Sequence, residues 1–236
     1  MNFVETIDDA VPLRHALISV YDKRGLDRLV PALVRINPKL RLFSTGGSYS
    51  VIRELLGREA ARNLTQVSDY TGQPEMQGGL VKTLDFKIYL GLLAETYNTS
   101  HAADLSRTGA VPIDLVVVNL YPFAETVARL EAGPNSPNGP EQARANIDIG
   151  GPCLARAAAK NFLRVAAVVD PADYGPLVAE LENGGGRIGL ATRFRLAQKA
   201  FAYTAGYDRA VAEYLGGCSY DRVAASYPRI HPGVKT

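Results

Sequence analysis

Short apolar runs alternate with amphipathic segments along the first part of the chain. Residues 15–21 form an apolar run that ends in the polar turn 22–25, which is typical of a parallel strand buried on both faces. The next apolar residues recur at the i, i+3, i+4 and i+7 positions of an amphipathic helix, and this pattern stops before Asn37 and Pro38. The pattern predicts a strand followed by a helix.

A second strand and helix of the same kind follow directly. Residues 40–44 predict a strand, residues 45–47 predict a tight turn, and Ser48 is expected to cap a helix that extends to Gly57. Two consecutive strand–helix units joined by short turns imply a parallel sheet.

The later part of the chain repeats this alternation. The β-branched run 113–121, bounded by prolines, predicts a central strand. Residues 164–170 predict another buried strand, and a helix is expected to begin near Pro171. One apolar face predicts a helix over 192–214, and the Gly- and Pro-rich segment 133–140 predicts a turn-rich insertion. The expected fold class is α/β, with a mostly parallel sheet and helices on both faces.

Charge and composition exclude several classes of function. The 26 Lys and Arg residues against 24 Asp and Glu residues leave a net charge of +2, which argues against a general nucleic-acid binder. Cys153 and Cys218 cannot build a disulfide framework. The three histidines, His15, His101 and His231, disfavour a His-based metal centre or a Ser-His-Asp triad. We expect no nucleic-acid partner and no metal site.

The amino-terminal segment and the hydropathy pattern indicate where in the cell the protein is expected to occur. The first fifteen residues contain Glu5, Asp8 and Asp9 and no apolar run, so they do not resemble a signal peptide. The chain also lacks the run of about eighteen apolar residues that a membrane-spanning helix needs. We therefore expect a soluble, cytoplasmic protein with no membrane partner.

A polar turn follows the second predicted strand. Ser44, Thr45, Gly46 and Gly47 lie where a strand ends and a helix begins, a place where free backbone N–H groups favour a phosphate. Lys23, after the first strand, could add a cation. An ordinary tight turn with a helix cap is the alternative. The spacing matches neither a Walker loop nor the dinucleotide fingerprint.

Other polar residues stand in unusual surroundings. Lys82 follows two glycines and could polarise a carbonyl or transfer a proton, although most lysines are merely solvated. Asp148 lies between two isoleucines, which is unusual for a carboxylate unless its charge is paired or used, and the alternative is a cap for the helix 152–160. Arg156 and Lys160 share one helical face, which could be solvated.

Ordered motifs resemble a known family. The chain carries, in sequence order, LISV at 17–20 with Asp22 and Lys23, STGG at 44–47, VSDYTG at 67–72, PEM at 74–76, VKTL at 81–84, VNLYPF at 118–123, IDIGGP at 147–152, AAAKN at 157–161, LATRF at 190–194 and AF with TA at 200–205. This set closely resembles the IMP cyclohydrolase domain of the bifunctional AICAR transformylase/IMP cyclohydrolase family. The resemblance implies a methylglyoxal-synthase-like domain over residues 14–215. Residues 1–13 are then an N-terminal extension, residues 216–236 a C-terminal tail, and no transformylase domain is expected.

The family's reaction is the closure of 5-formamidoimidazole-4-carboxamide ribonucleotide to IMP without a metal or redox cofactor. The resemblance assigns catalysis to Lys82 and Tyr121 near the formyl oxygen, to Asp148, and to Lys160 as the proton-transfer lysine. It assigns substrate binding to Tyr21, Asp22, Lys23, Ser44, Thr45, Gly46, Gly47, Thr83, Asn119, Ile149, Gly150 and Gly151. A separate formyltransferase enzyme is expected in the pathway, and a homodimer that shares site groups is one expected assembly.

The chain departs from the family pattern at four positions. Leu80 replaces an arginine, Asp85 and Tyr89 replace two histidines, and Tyr21 replaces a serine. Losing a guanidinium that contacts the ligand would cost about 1.5–3 kcal/mol, and Arg156 is a conceivable substitute. The alternative function is therefore a purine-nucleotide-binding or regulatory paralogue with weak catalysis. A methylglyoxal-synthase-like lyase is a third hypothesis, disfavoured because no histidine is placed to serve it.

Overall fold

The computed structural model describes residues 3–73, 83–132 and 139–228. The chain forms two compact units. The first unit comprises Met1–Leu120 and Ile149–Tyr203, and the second comprises Tyr121–Asp148 and Thr204–Thr236. One continuous domain over 14–215 stays a prediction.

The first unit is built on a five-stranded parallel sheet. Numbered in chain order, the strands of the described residues, including two outside this sheet, are β1 (Ala10–Pro12), β2 (His15–Val20), β3 (Arg41–Ser44), β4 (Leu64–Gln66), β5 (Leu115–Asn119), β6 (Ala166–Val168) and β7 (Arg187–Gly189). The sheet has the order β4-β3-β2-β5-β6, and every neighbouring pair in it is parallel. The strands β1 and β7 form a separate antiparallel pair. The predicted α/β class with a parallel sheet is confirmed.

The described residues contain helices of very different lengths. They are α1 (Leu26–Ile36), α2 (Gly46–Leu56), α3 (Ala60–Asn63), α4 (Val67–Thr71), α5 (Phe86–Leu93), α6 (Thr99–Thr108), α7 (Phe123–Ala132), α8 (Gly139–Ala145), α9 (Gly150–Lys160), α10 (Tyr174–Asn183), α11 (Leu190–Gly217) and α12 (Tyr220–Ala225). None of these helices is both long enough and apolar enough to cross a membrane.

Both faces of the sheet are buried under helices. Successive residues of a strand face opposite sides, and in β5 Leu115 and Val117 join one apolar cluster whereas Val116 and Val118 join another. All four side chains are at most 2% exposed. Helices α1, α2 and α10 contribute to the first cluster, and α5, α9 and α11 contribute to the second. Burial on two faces explains why β5 has a continuous apolar sequence.

Two predictions of local structure differ from the fold. Helix α2 begins at Gly46 with Thr45 as its N-cap residue, so the predicted cap at Ser48 is wrong. The Ser48 hydroxyl instead accepts a hydrogen bond from the backbone N–H of Val20 at 3.0 Å and donates one to the Val20 carbonyl at 2.9 Å.

The segment Ala10–Pro12, expected to lie in an extension, pairs in register with Arg187–Gly189. This pairing joins residues far apart in the sequence, and no local pattern predicts it.

Candidate active site

Several predicted site residues lie where three adjacent strands end. The strands β3, β2 and β5 are neighbours, and their carboxyl ends lead into Thr45, Tyr21 and Asn119. Ligands of open parallel sheets bind at this edge. The topology therefore brings together groups that are separated by about a hundred residues in the sequence.

The turn that enters α2 is anchored to β2 by hydroxyl groups. Oγ1 of Thr45 lies 2.9 Å from Oγ of Ser19 at the end of β2, and the Ser48 hydroxyl holds both polar groups of the Val20 backbone. Gly46 has a φ of 46°, in the left-handed region that favours glycine. The first N–H groups of a helix have no partner within it, so this anchored turn presents backbone donors to an anion.

Lys23 supplies a positive charge beside this helix start. Its Nζ lies 3.8 Å from the position that a β-carbon on Gly47 would occupy, and it donates to the Tyr21 carbonyl at 3.1 Å. An ammonium next to a helix N-terminus reinforces the attraction for a phosphate. Ser44 does not take part in this arrangement, because it is fully buried and its hydroxyl donates to the Ile18 carbonyl at 2.7 Å.

Asn119 holds the turn that carries Lys23. Its side-chain oxygen accepts from the backbone N–H of Asp22 at 2.8 Å, and its side-chain nitrogen donates to the Asp22 carbonyl at 2.9 Å. The Arg24 guanidinium bonds the Asp22 carboxylate and lowers the pKa of that group below its usual value. The Asn119 amide therefore joins the ends of β2 and β5, and its predicted contact with the base stays a prediction.

A second group of predicted residues lies at the start of α9. Thr83 is buried, and a β-carbon on Gly150 would lie 3.1 Å from its Oγ1, so a larger residue at 150 would press on Thr83. Ile149 is the N-cap residue, is 61% exposed and makes no side-chain cap bond, and Gly151 lies in the first turn. Asp148 directly precedes this N-cap residue, and its alternative interpretation as a helix cap stays a prediction.

Asp148 and Tyr121 belong to the second unit. The backbone N–H of Asp148 donates to the Tyr207 hydroxyl at 2.7 Å, and Asp148 is half-buried. The Tyr121 ring is 51% exposed. Lys82 and Leu80 lie outside the described residues, so the catalytic role of Lys82 stays a prediction.

Lys160 lies at the far end of α9 from Gly150. Ten residues separate the two, which corresponds to about 15 Å along a helix. The next residue, Asn161, donates to the backbone carbonyls of Leu92 at 2.7 Å and Ala94 at 3.0 Å, at the end of α5. Arg164 then forms a buried ion pair at 3.2 Å with Asp114, which directly precedes β5. Lys160 is therefore placed towards the amino edge of the sheet.

Comparison with known proteins identifies the family. The model of the family described as AICARFT/IMPCHase bienzyme matches residues 158–232. The bifunctional purine biosynthesis protein PurH of Acidithiobacillus ferrooxidans is 43% identical over 217 residues, which are 92% of this chain and 39% of PurH. The crystal structure of ForH aligns with a TM-score of 0.72 and 33% identity, over 92% of this chain and all of the ForH chain. This chain belongs to the AICARFT/IMPCHase family. It spans about two fifths of the length of its curated relative.

Two departures from the family pattern have structural explanations. Asp85 is the N-cap residue of α5, and its carboxylate accepts from the backbone N–H of Lys87 at 2.8 Å. Tyr89 lies beside Cys153 of α9, and burial raises the pKa of its phenol. Arg156 lies over the Phe201 ring at 5.6 Å, and its role as a substitute for the missing arginine stays a prediction. Asp85 therefore caps α5, and Tyr89 packs against the apolar cluster beneath this helix.

Sequence reasoning missed groups that support the site. Ser19 and Ser48 anchor the turn that enters α2, and their only signal is a hydroxyl at a strand end and in a first helical turn. Tyr207 has no local signal, because its bond to Asp148 spans 59 positions. Across the described ranges, no group of three His, Cys, Asp or Glu side chains could hold a metal ion.

Proposed function

We propose that this chain is an IMP cyclohydrolase of purine biosynthesis, closing 5-formamidoimidazole-4-carboxamide ribonucleotide to IMP with loss of water. Family membership and the ordered motifs support this proposal. The observation that carries it is the anion site formed by the start of α2 and Lys23, at the strand ends where those motifs lie. This site suits the 5′-phosphate of a ribonucleotide.

Ring closure requires one new bond and the removal of one water molecule. The carboxamide nitrogen attacks the formyl carbon of the same molecule, and the formyl oxygen becomes a hydroxyl. That hydroxyl leaves as water with the proton of the former formamido nitrogen, and a C=N bond forms. The reaction neither oxidises nor reduces the substrate, so the protein has to orient the two groups, stabilise charge on the oxygen and move protons.

The predicted residues divide these tasks by chemistry. Lys82 and the Tyr121 phenol stabilise negative charge on the formyl oxygen. Asp148 accepts a hydrogen bond from the carboxamide and directs its nitrogen towards the formyl carbon. Lys160 donates the proton that converts the leaving hydroxyl into water, and it takes up in turn the proton that the former formamido nitrogen releases as the C=N bond forms. Thr45, Gly46 and Gly47 hold the phosphate.

The position of Lys160 favours a homodimer. A lysine side chain reaches about 6 Å, whereas Lys160 is about 15 Å from Gly150 along its own helix. Ile149, Arg156 and Lys160 are exposed, and their i, i+7 and i+11 spacing puts them on one side of α9. Antiparallel packing of two such helices about a two-fold axis would bring Lys160 of a second copy beside Gly150. The site is then completed in trans.

The decisive test is turnover by the purified chain. We expect the formamido nucleotide to be converted to IMP, followed by absorbance and confirmed by chromatography of the product. The substrate without protein is the control, since this nucleotide can close spontaneously. A rate equal to that control at micromolar protein would refute the proposal.

The second candidate function is a purine-nucleotide-binding or regulatory paralogue. The use of Asp85 as a helix cap and of Tyr89 in helix packing favours it, because neither position retains the family's histidine. It predicts measurable IMP affinity by calorimetry with no turnover above the spontaneous rate.

Lys23→Met tests the anion site directly. We expect IMP to bind about 10- to 100-fold more weakly, because a charge-assisted hydrogen bond contributes about 1.5–3 kcal/mol. Calorimetry measures the affinity, and Lys39→Met, which removes an exposed lysine between α1 and β3, is the matched control. Equal affinities for the two variants would show that Lys23 does not contact the phosphate.

A further inference from the structure

A phenol in the second unit contacts the turn that carries Asp148. The Tyr207 hydroxyl accepts from the Asp148 N–H at 2.7 Å and lies 3.5 Å from the carbonyl oxygen of Asn146, to which it donates. A phenol has one donor and can also accept, so this hydroxyl uses both capacities on one short segment. It therefore ties the two ends of the segment 146–148.

The hydrogen bonds of the preceding residues end just before Asp148. The N–H groups of Asn146 and Ile147 donate to the carbonyls of Ala143 and Arg144 in α8, at 3.0 and 3.2 Å. The N–H of the next residue, Asp148, donates to the Tyr207 side chain and not to a backbone carbonyl of α8. The direction of the backbone at Asp148 depends on where the Tyr207 hydroxyl lies.

Packing fixes the ring that carries this hydroxyl. Tyr207 contacts Phe123 edge to face, with ring centroids 6.2 Å apart. It packs against the apolar cluster of the second unit, whose buried members are Phe123, Val127, Ala143 and Tyr214. A ring held on its apolar side can serve as a rigid support for a polar contact at its tip.

We propose that Tyr207 is a positioning residue for Asp148. This inference rests on the proposed ring closure, in which Asp148 orients the carboxamide nitrogen. The hydroxyl fixes the backbone of Asp148, and through it the direction in which the carboxylate is presented. Loss of that support would let the N–H turn towards solvent, and a displacement of about 1 Å is enough to lower a rate substantially.

Tyr207→Phe tests the inference because it removes only the hydroxyl and keeps the ring. We expect kcat to fall about 10-fold while KM changes less than about 2-fold, since orientation rather than affinity is lost. Amide hydrogen exchange of Asp148 should become faster. Tyr70→Phe is the matched control, because the Tyr70 hydroxyl also accepts a backbone N–H, that of Val111 at 2.9 Å, just ahead of β5. We expect kcat of this variant to stay near that of the wild type.

A double variant separates positioning from a general structural effect. If Tyr207 acts through Asp148, then Tyr207→Phe should cause no further loss of kcat in an Asp148→Asn background. Additive losses, or a kcat for Tyr207→Phe equal to that of Tyr70→Phe, would overturn the inference while leaving ring closure intact. Absence of turnover in the wild-type chain would instead overturn the proposed function. Measuring the wild type before any variant therefore distinguishes the two failures.

Discussion

Lys160→Ala is expected to lower kcat for ring closure by at least about 100-fold, the usual effect of losing a positioned proton-transfer group. KM should change little, because Lys160 lies far from the turn that we propose to bind the phosphate. Steady-state kinetics with the formamido nucleotide measures both constants. Lys39→Ala, at an exposed position between α1 and β3, is the control.

Mixing two inactive variants tests whether Lys160 acts in trans. Thr83 lies beside Gly150 at the start of α9, and Lys82 is the residue before it in the sequence. Lys160 is the last residue of α9. In a mixed dimer of Lys82→Ala and Lys160→Ala, one of the two sites would receive an intact lysine from each copy. Random exchange would restore about a quarter of the wild-type activity, because half of the dimers are mixed and half of their sites are intact. No recovery would place Lys160 in the site of its own chain or outside the mechanism, and full activity of Lys160→Ala alone would remove it from the reaction.

Arg193→Met is expected to lower the free energy of unfolding by about 3–5 kcal/mol, because it removes a fully buried guanidinium on which five backbone carbonyls depend as donor. Arg193 is fully buried. Its guanidinium donates to five backbone carbonyls, those of Phe162, Leu163, Asp8, Asp9 and Ile188. It therefore joins the amino-terminal segment, β7 and the loop after α9.

Urea denaturation followed by circular dichroism measures this loss. Arg195→Met is the control on the same helix. Arg195 forms an ion pair with Asp173 at 2.9 Å, but its side chain is 51% exposed, so its loss should cost less than about 1 kcal/mol. Similar midpoints for the two variants would show that the buried guanidinium does not stabilise the fold as argued.

Periodic positions predicted the elements that pack against the sheet. Helix α1 has the predicted bounds, and β2 and β5 lie inside the predicted runs, because burial of one helical face or of both strand faces leaves a local pattern. The short strands β1, β4 and β7 have no such pattern. Each of them has three residues, which is too short for a periodic pattern, and β1 and β7 in addition pair with each other from opposite parts of the chain.

In the predicted site, too, some features follow from local sequence patterns and others depend on tertiary structure. Spacing and motif order brought Lys23 and the turn 45–47 into one hypothesis, and the structure places them together. Spacing did not show that Ser44 faces the interior or that the Asn119 amide holds the Asp22 backbone. Both outcomes depend on which strands lie side by side.

The sequence by itself determined the α/β class, the family and the types of chemical group available, because periodicity and motif order are local properties of a chain. Only the tertiary structure decided how those groups are arranged. It joined the ends of β2 and β5 through the Asn119 amide, and it gave the backbone of Asp148 a support in Tyr207. Such arrangements follow from strand order and helix direction, which join residues that no local pattern relates.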